Sequence, residues 1–324
     1  MTTHRERIQA SLEGEIVDRP PVALWRHFPV DDQTPEALAE AHLHSQQNYD
    51  FDLVKVTPAS SFCLKDWGVT DEWVGDTEGT RRYTQRVISD PRDWESLPVL
   101  QPTALHLAKQ LDCLRYIRAG ISLDTPLLQT IFSPLAQAKN LAGNETLMQH
   151  LRNHPSSVMK GLKTIAETTR LFVEAARATG IDGIFYAVQH AQRQFLSFDE
   201  YKVFGLIFDR ETIEPAQGLW CNMLHLHGQE VHFEMASELP FQIVNWHDRE
   251  SYPSLTEAQS LFKGAMCGGM RQDTLVYQNQ TEVRHEAADA IQQTKGKRFL
   301  LGTGCVVPII ASHGNILAAR KSVE

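Results

Sequence analysis

Eight short apolar segments, separated by stretches of helical pattern, predict an α/β chain whose parallel strands close into a single (β/α)8 TIM barrel. Two observations support that fold class. The 324 residues fall within the range that such barrels span as one domain. Polar and metal-binding side chains also gather at the C-terminal ends of the predicted strands, where these barrels carry their function. No internal repeat, linker or low-complexity tract intervenes, so residues 1–324 are expected to form one domain.

The elements follow in order. Residues 3–12 read as a short helix, with Ile8 and Leu12 four apart on one face. Asp18-Arg19-Pro20-Pro21 ends it, because proline cannot continue a helix. Residues 22–25 form the first strand and deliver Arg26 and His27 at its end. Thr34 caps a helix that Pro35 opens and that runs to about residue 48. The second strand, 52–57, carries Lys55 between Val54 and Val56. Residues 60–100 lack long periodicity, and 73–87 read as a small hairpin on the rim. A helix over 104–119 precedes the third strand, 126–132, and residues 133–151 are largely helical.

Pro155 opens a longer helix that places Val158, Leu162, Ile165, Thr169, Phe172 and Ala176 on one face, and Gly180 ends it. The fourth strand, 182–188, finishes at Gln189-His190, and Ser197 with Glu200 starts the next helix as a capping box. The fifth strand is 220–227. The sixth, 241–246, leads into His247-Asp248-Arg249. A helix over 254–262, a seventh strand over 265–270 and a helix over 282–294 come next. The eighth strand, 298–301, runs into Gly302-Thr303-Gly304-Cys305, and a last helix starts near residue 313.

Composition narrows the function classes. A net charge of −9 with no compensating Lys/Arg block argues against nucleic-acid or membrane-surface binding. No apolar run approaches the ~20 residues of a membrane span. The polar start, Met1-Thr2-Thr3-His4-Arg5, lacks a signal-peptide core, so a cytoplasmic location is expected. Five cysteines, at 63, 113, 221, 267 and 305, form no CxxC pair and suit reduced thiols.

The sharpest local signal is Leu224-His225-Leu226-His227-Gly228. Alternate residues of a strand share a face, so His225 and His227 point together, and Gly228 turns the chain. A single buried histidine is usually a hydrogen-bonded core residue, but an HxH pair at a barrel strand end suits a metal. Cys305, after a glycine-rich turn at another strand end, is a candidate third ligand or nucleophile. An N,N,S set suits zinc and leaves one position open. Lys55 is a candidate anion binder or Schiff-base lysine, with a structural ion pair as its competitor. Arg26 is a candidate carboxylate clamp.

Six stretches carry a wider resemblance: Asp18-Arg19-Pro20-Pro21-Val22 with Arg26, Phe51-Asp52-Leu53-Val54-Lys55, and Gly183-Ile184-Phe185 through Gln189-His190-Ala191; then His225 to Gly228, Asn245-Trp246-His247-Asp248-Arg249, and Leu301-Gly302-Thr303-Gly304-Cys305-Val306-Val307-Pro308. Together they make the chain resemble the uroporphyrinogen decarboxylase superfamily over nearly its whole length. That group includes decarboxylases of haem biosynthesis. It also includes zinc-dependent methyltransferases that move a methyl group from a corrinoid protein to a thiol such as coenzyme M.

The methyltransferases use His-x-Cys on the fifth strand and a cysteine after the eighth. Here His227 replaces the first cysteine and Cys305 matches the second. The decarboxylases carry Arg-Gln-Ala-Gly-Arg after the first strand, where Arg26 matches the first arginine and Val30 stands in place of the second. Their second strand ends in an aspartate and their last in Gly-His-Gly, where this chain has Lys55-Val56-Thr57-Pro58 and Gly304-Cys305-Val306.

Three expectations follow from the resemblance. The first is zinc-dependent methyl transfer from a corrinoid (methylcobalamin) on a partner protein to a thiol. His225, His227 and Cys305 would be catalytic ligands, and Arg26, Lys55, Gln189, His190 and His247 would orient a small anionic or thiol substrate. The second is metal-free decarboxylation of a carboxylated tetrapyrrole in porphyrin biosynthesis. The third is a tetrapyrrole- or corrinoid-binding barrel without turnover. The resemblance also implies a homodimer.

Overall fold

The computed structural model describes residues 2–324; Met1, the first residue of the polar start, lies outside them. In chain order the strands are β1 (Val54–Val56), β2 (Thr70–Glu72), β3 (Arg82–Gln85), β4 (Leu127–Phe132), β5 (Gly183–Val188), β6 (Met223–Leu226), β7 (Ile243–Trp246), β8 (Ala265–Met270) and β9 (Phe299–Thr303). β2 and β3 pair antiparallel as a separate hairpin. The other seven form one curled sheet in the order β1-β4-β5-β6-β7-β8-β9, and every pairing in it is parallel. All residues of these seven strands are buried. Continuous apolar strands are what a parallel sheet covered by crossover helices requires.

Two expectations change. The sheet has seven strands rather than eight and is open. Residues 22–25 supply one parallel bridge, Val22 to Leu301, instead of a strand. Pro20 and Pro21 remove the two amide donors that a ladder would need just before it. The segment nevertheless lies between β9 and the chain entering β1. The Leu301 amide donates to the Pro21 carbonyl at 2.8 Å, the Ala23 amide to Leu301 at 2.9 Å, and the Asp52 amide to Val22 at 2.8 Å. The rim hairpin also starts earlier than 73, because Thr70–Glu72 pairs with Arg82–Gln85.

The helices follow the sequence pattern closely. Thr3 and Glu6 form a capping box before helix His4–Glu13. The longest helix, Pro155–Arg177, buries the expected stripe, Val158, Leu162, Ile165, Thr169, Phe172 and Ala176. The stretch 133–151 is two helices, Pro134–Ala142 and Asn144–Asn153, because Gly143 at φ +92° breaks the path. No helix among the described residues is long and apolar enough to cross a membrane.

The N-terminal ends of the strands are locked by paired charges. Asp52, fully buried before β1, accepts from Arg7 at 2.6 Å, from Arg19 at 2.7 Å and from the Val22 amide at 2.7 Å. Asp182, before β5, accepts from Arg5 at 2.6 Å, the Leu127 amide at 2.9 Å and the Trp220 indole at 3.1 Å. These clusters tie the amino-terminal helix to the sheet and leave the opposite ends free for chemistry.

Candidate metal centre

His225 is the third residue of β6, and His227 lies one residue past its end. Both side chains face inward, as the alternation of a strand demands. Gly228 follows at φ +101°, a turn only glycine adopts readily, and a Cβ there would meet the Gln192 side chain at 2.5 Å. β9 brings in the third group. A Cβ on Gly304 would lie 2.7 Å from the His247 Cα, so only glycine lets the chain pass there and present Cys305 to the histidines.

Cys305 Sγ lies 3.8 Å from His225 Nε2 and 3.7 Å from His227 Nδ1. Metal–ligand lengths of about 2.0–2.1 Å for nitrogen and about 2.3 Å for sulfur put N and S about 3.6 Å apart around a tetrahedral zinc. The three ligand atoms all lie within 4.8 Å of one another. The donor set and its spacing therefore fit a zinc-sized ion.

The protonation pattern agrees. Asn245 Nδ2 donates to the Cys267 carbonyl at 2.8 Å and the Thr303 carbonyl at 2.9 Å. A carbonyl only accepts, so the amide is oriented with Oδ1 toward His225, whose Nδ1–H donates to it at 2.6 Å. The Nε2 lone pair of His225 is then left facing Cys305. Burial holds His225 well below its ordinary pKa and His227 down to about 4, so both are neutral donors at pH 7. Burial pushes the Cys305 thiol up to about 11.

The triad opens into a cavity of about 270 Å³ that is also walled by Lys55, Thr57, Tyr83, Phe185 and Gln189. Lys55 Nζ sits 4.5 Å above the Phe185 ring and 3.3 Å from Thr57 Oγ1. It has no carboxylate partner among the described residues, and burial lowers its pKa to about 7. A second cavity of about 390 Å³ adjoins the first through shared residues Lys139, Gln189 and His227, and His190 lines it. Lys139 Nζ donates to Gln189 Oε1 at 3.0 Å, and burial lowers it to about 8.

Of the residues expected from sequence, His225, His227, Cys305, Lys55 and Gln189 meet at the first cavity and His190 at the second. Arg26 lines neither cavity; its guanidinium lies over the Phe28 ring at 5.7 Å. The first strand was expected to aim Arg26 inward, but with residues 22–25 making a single bridge, His27 is the residue that reaches the cavity wall. His247 stands behind the triad, its ring 5.4 Å from that of His227. Two groups escaped the sequence reading: Asn245, which orients His225, and Lys139, which borders both cavities. A lone lysine amid the buried residues of Pro134–Ala142 was the signal for the second.

The profile of the uroporphyrinogen decarboxylase (URO-D) family matches residues 3–324. No curated protein matches the chain significantly. Among solved structures, a methyltransferase from Methanosarcina mazei is similar, with a TM-score of 0.86 at 18% identity over 99% of this chain and 98% of that one. A B12-independent methionine synthase from Shewanella sp. W3-18-1, in complex with selenomethionine, is similar with a TM-score of 0.60 at 14% identity, covering 93% of this chain and 92% of its own. A third, described as a putative vitamin-B12-independent methionine synthase from Listeria monocytogenes, has a TM-score of 0.55 at 9% identity, with 94% of each chain covered. At these identities the likenesses establish a shared fold.

Proposed function

This chain belongs to the uroporphyrinogen decarboxylase family, and we propose that within it the chain is a zinc-dependent methyltransferase acting from a corrinoid partner onto a small thiol. The observation that carries this reading is the convergence of His225 Nε2, His227 Nδ1 and Cys305 Sγ at tetrahedral spacing, with Asn245 fixing the tautomer of His225. Likeness in fold to the Methanosarcina methyltransferase supports it. Held by those three side chains, zinc would supply one open position at which a substrate thiol loses its proton at neutral pH.

The chain's own residues do the rest. Neutral imidazoles at 225 and 227 present lone pairs without competing protons. Lys55 and Lys139, desolvated and without carboxylate partners among the described residues, draw an anionic substrate inward and hold it against Phe185 and Gln189. Trp25, Phe132 and Phe185, which line the cavity, keep water from the inner wall. In this reading residues 1–324 are one catalytic domain, and residues 22–25 stand where the remaining strand of an eight-stranded barrel would lie.

Decarboxylation of a carboxylated tetrapyrrole is the second reading, favoured by the two unpaired ammonium groups. A first cavity of about 270 Å³ falls below the ~300–1,000 Å³ of ordinary ligand sites. It seats the reacting end of a small substrate better than a whole tetrapyrrole.

Metal analysis of purified protein tests the first reading. One zinc per chain is expected, lost in His227→Ala; a metal-free wild type, or a variant that keeps its zinc, overturns it. Carbon dioxide release from uroporphyrinogen would establish the second.

A further inference from the structure

The cavity beside the triad is lined by a carboxylate as well as by ammonium groups. At the tip of the rim hairpin, between β2 and β3, Gly79 turns at φ +81°, and a Cβ there would meet the His27 Cβ at 2.6 Å. Glycine lets the tip come down onto the chain that follows residues 22–25. The Ile309 amide donates to the Thr77 carbonyl at 2.8 Å and fastens the tip from another side. Glu78, between these two anchors, lines the cavity. Gln272 Nε2 donates to Glu78 Oε1 at 2.9 Å and to the Val306 carbonyl at 2.7 Å. One amide nitrogen therefore ties the carboxylate to the residue that follows Cys305.

The charges that line this cavity do not neutralise one another. Glu78 Oε2 has no partner among the described residues, and no cationic side chain among them stands within ion-pair distance of Glu78. Arg81, the neighbouring cation on the hairpin, is already taken by Asp32. Lys55 has only a hydroxyl and an aromatic face beside it. Partly desolvated charges are held at a cost unless something pairs with them. Here charges of both signs share one cavity of about 270 Å³ and remain apart. The occupant that matches both carries both signs itself. At the ~30 Å³ that a water takes in the liquid, the cavity has room for about nine non-hydrogen atoms. That is the size of a simple amino acid, and too little for a nucleotide or a peptide.

We propose that the acceptor is a zwitterionic thiol of amino-acid size, with Glu78 receiving its ammonium group and Lys55 its acid group while the sulfur reaches the triad. The thiol in this inference rests on the zinc reading above; the two charges do not. The ammonium donates to Glu78 Oε2, the oxygen that Gln272 leaves free, and the acid group accepts from Lys55 Nζ. Held at both ends, the molecule brings its sulfur to Cys305 and the histidines by one approach. A thiol lacking either charge leaves one of the two groups unmatched and binds more weakly.

L-Cysteine and its deletion analogues are the probes: cysteamine lacks the acid group, 3-mercaptopropionate the ammonium, and ethanethiol both. Cobalt(II) in place of zinc reports thiolate binding to the full chain by visible absorption. L-Cysteine is expected to bind at least ~10-fold more tightly than either singly charged thiol, the usual contribution of one charge-assisted hydrogen bond. Glu78→Gln keeps an acceptor for Gln272 and removes only the charge. It should weaken cysteine and cysteamine ~10-fold and leave 3-mercaptopropionate unchanged. Lys55→Met should do the reverse, weakening cysteine and 3-mercaptopropionate and sparing cysteamine. Chelation of the metal by cysteine's own nitrogen would survive both substitutions, so a preference for cysteine that persists undiminished in Glu78→Gln overturns the proposal. Equal affinity for the four thiols, or a Glu78→Gln variant that weakens all of them alike, overturns it too. A wild type that takes up no metal overturns the zinc reading instead. Calorimetry with L-serine against 3-hydroxypropionate then decides the charge pairing, which tighter binding of serine supports and equal binding of the two refutes.

Discussion

Two buried charges three residues apart are treated in opposite ways. Asp52, just before β1, is met by two guanidinium groups and a backbone amide. Lys55, on β1 itself, finds a hydroxyl and an aromatic face, and no carboxylate among the described residues. The contrast recurs on β5, where Asp182 precedes the strand fully paired, while His190 follows it with Nδ1 buried and unpartnered. The two ends of one sheet thus divide the work. At the N-terminal ends charge is neutralised to hold the fold together, and at the C-terminal ends desolvated groups are left unmatched for a ligand.

The largest effect is expected from breaking the paired end. Asp52→Ala leaves Arg7, only 6% exposed, with Asp18 as its remaining carboxylate and takes the acceptor from Arg19 and the Val22 amide, and removing one partner of a buried pair costs about 3–5 kcal/mol. Denaturant melts read this directly; a cost below about 1 kcal/mol would erase the contrast.

Lys55→Met tests the unmatched end, with the opposite sign. Burial lowers Lys55 from 10.5 to about 7 in the folded chain, so between those values the unfolded chain binds the extra proton and stability rises with pH. Lys55→Met should therefore stabilise the protein at pH 7, by on the order of 2 kcal/mol. The gain should fade as pH climbs toward 10. Melts at pH 7 and pH 9.5 check it, and an equal effect at both would remove desolvation as the cause. The same variant should weaken binding of an anionic substrate.

Asn245→Leu sharpens the comparison from within the site. It frees the tautomer of His225 and should cost ~10–100-fold in zinc affinity by chelator competition. The smallest effect calibrates the others. The exposed Lys160–Glu95 pair at 2.8 Å should lose no more than about 0.5 kcal/mol in Lys160→Ala, because water already solvates both charges.

Much of this architecture was legible before any coordinates. Strand segments, helix stripes and the caps at Thr34 and Ser197 are local patterns, and local patterns depend on residues a few positions apart. The pairing of His225 with His227 on one face was equally readable, since it follows from the alternation of a strand. The place of Cys305 was legible through its glycine turn and through family resemblance.

What lay beyond the sequence depends on residues far apart in the chain. The reduction of residues 22–25 to a single bridge comes from how the edges of the sheet approach each other. The turning away of Arg26, the hold of Asn245 on carbonyls of β8 and the next strand's end, and the edge-to-face packing of His247 against His227 depend on register and curl. A side chain's face can be read from its own strand, but its neighbours are chosen only when the strands are laid side by side. Sequence alone pointed to a parallel α/β architecture and to His225, His227 and Cys305 as candidate ligands; the tertiary structure decided which of the other polar groups surround them, because that choice is made by contacts between strands and not along one.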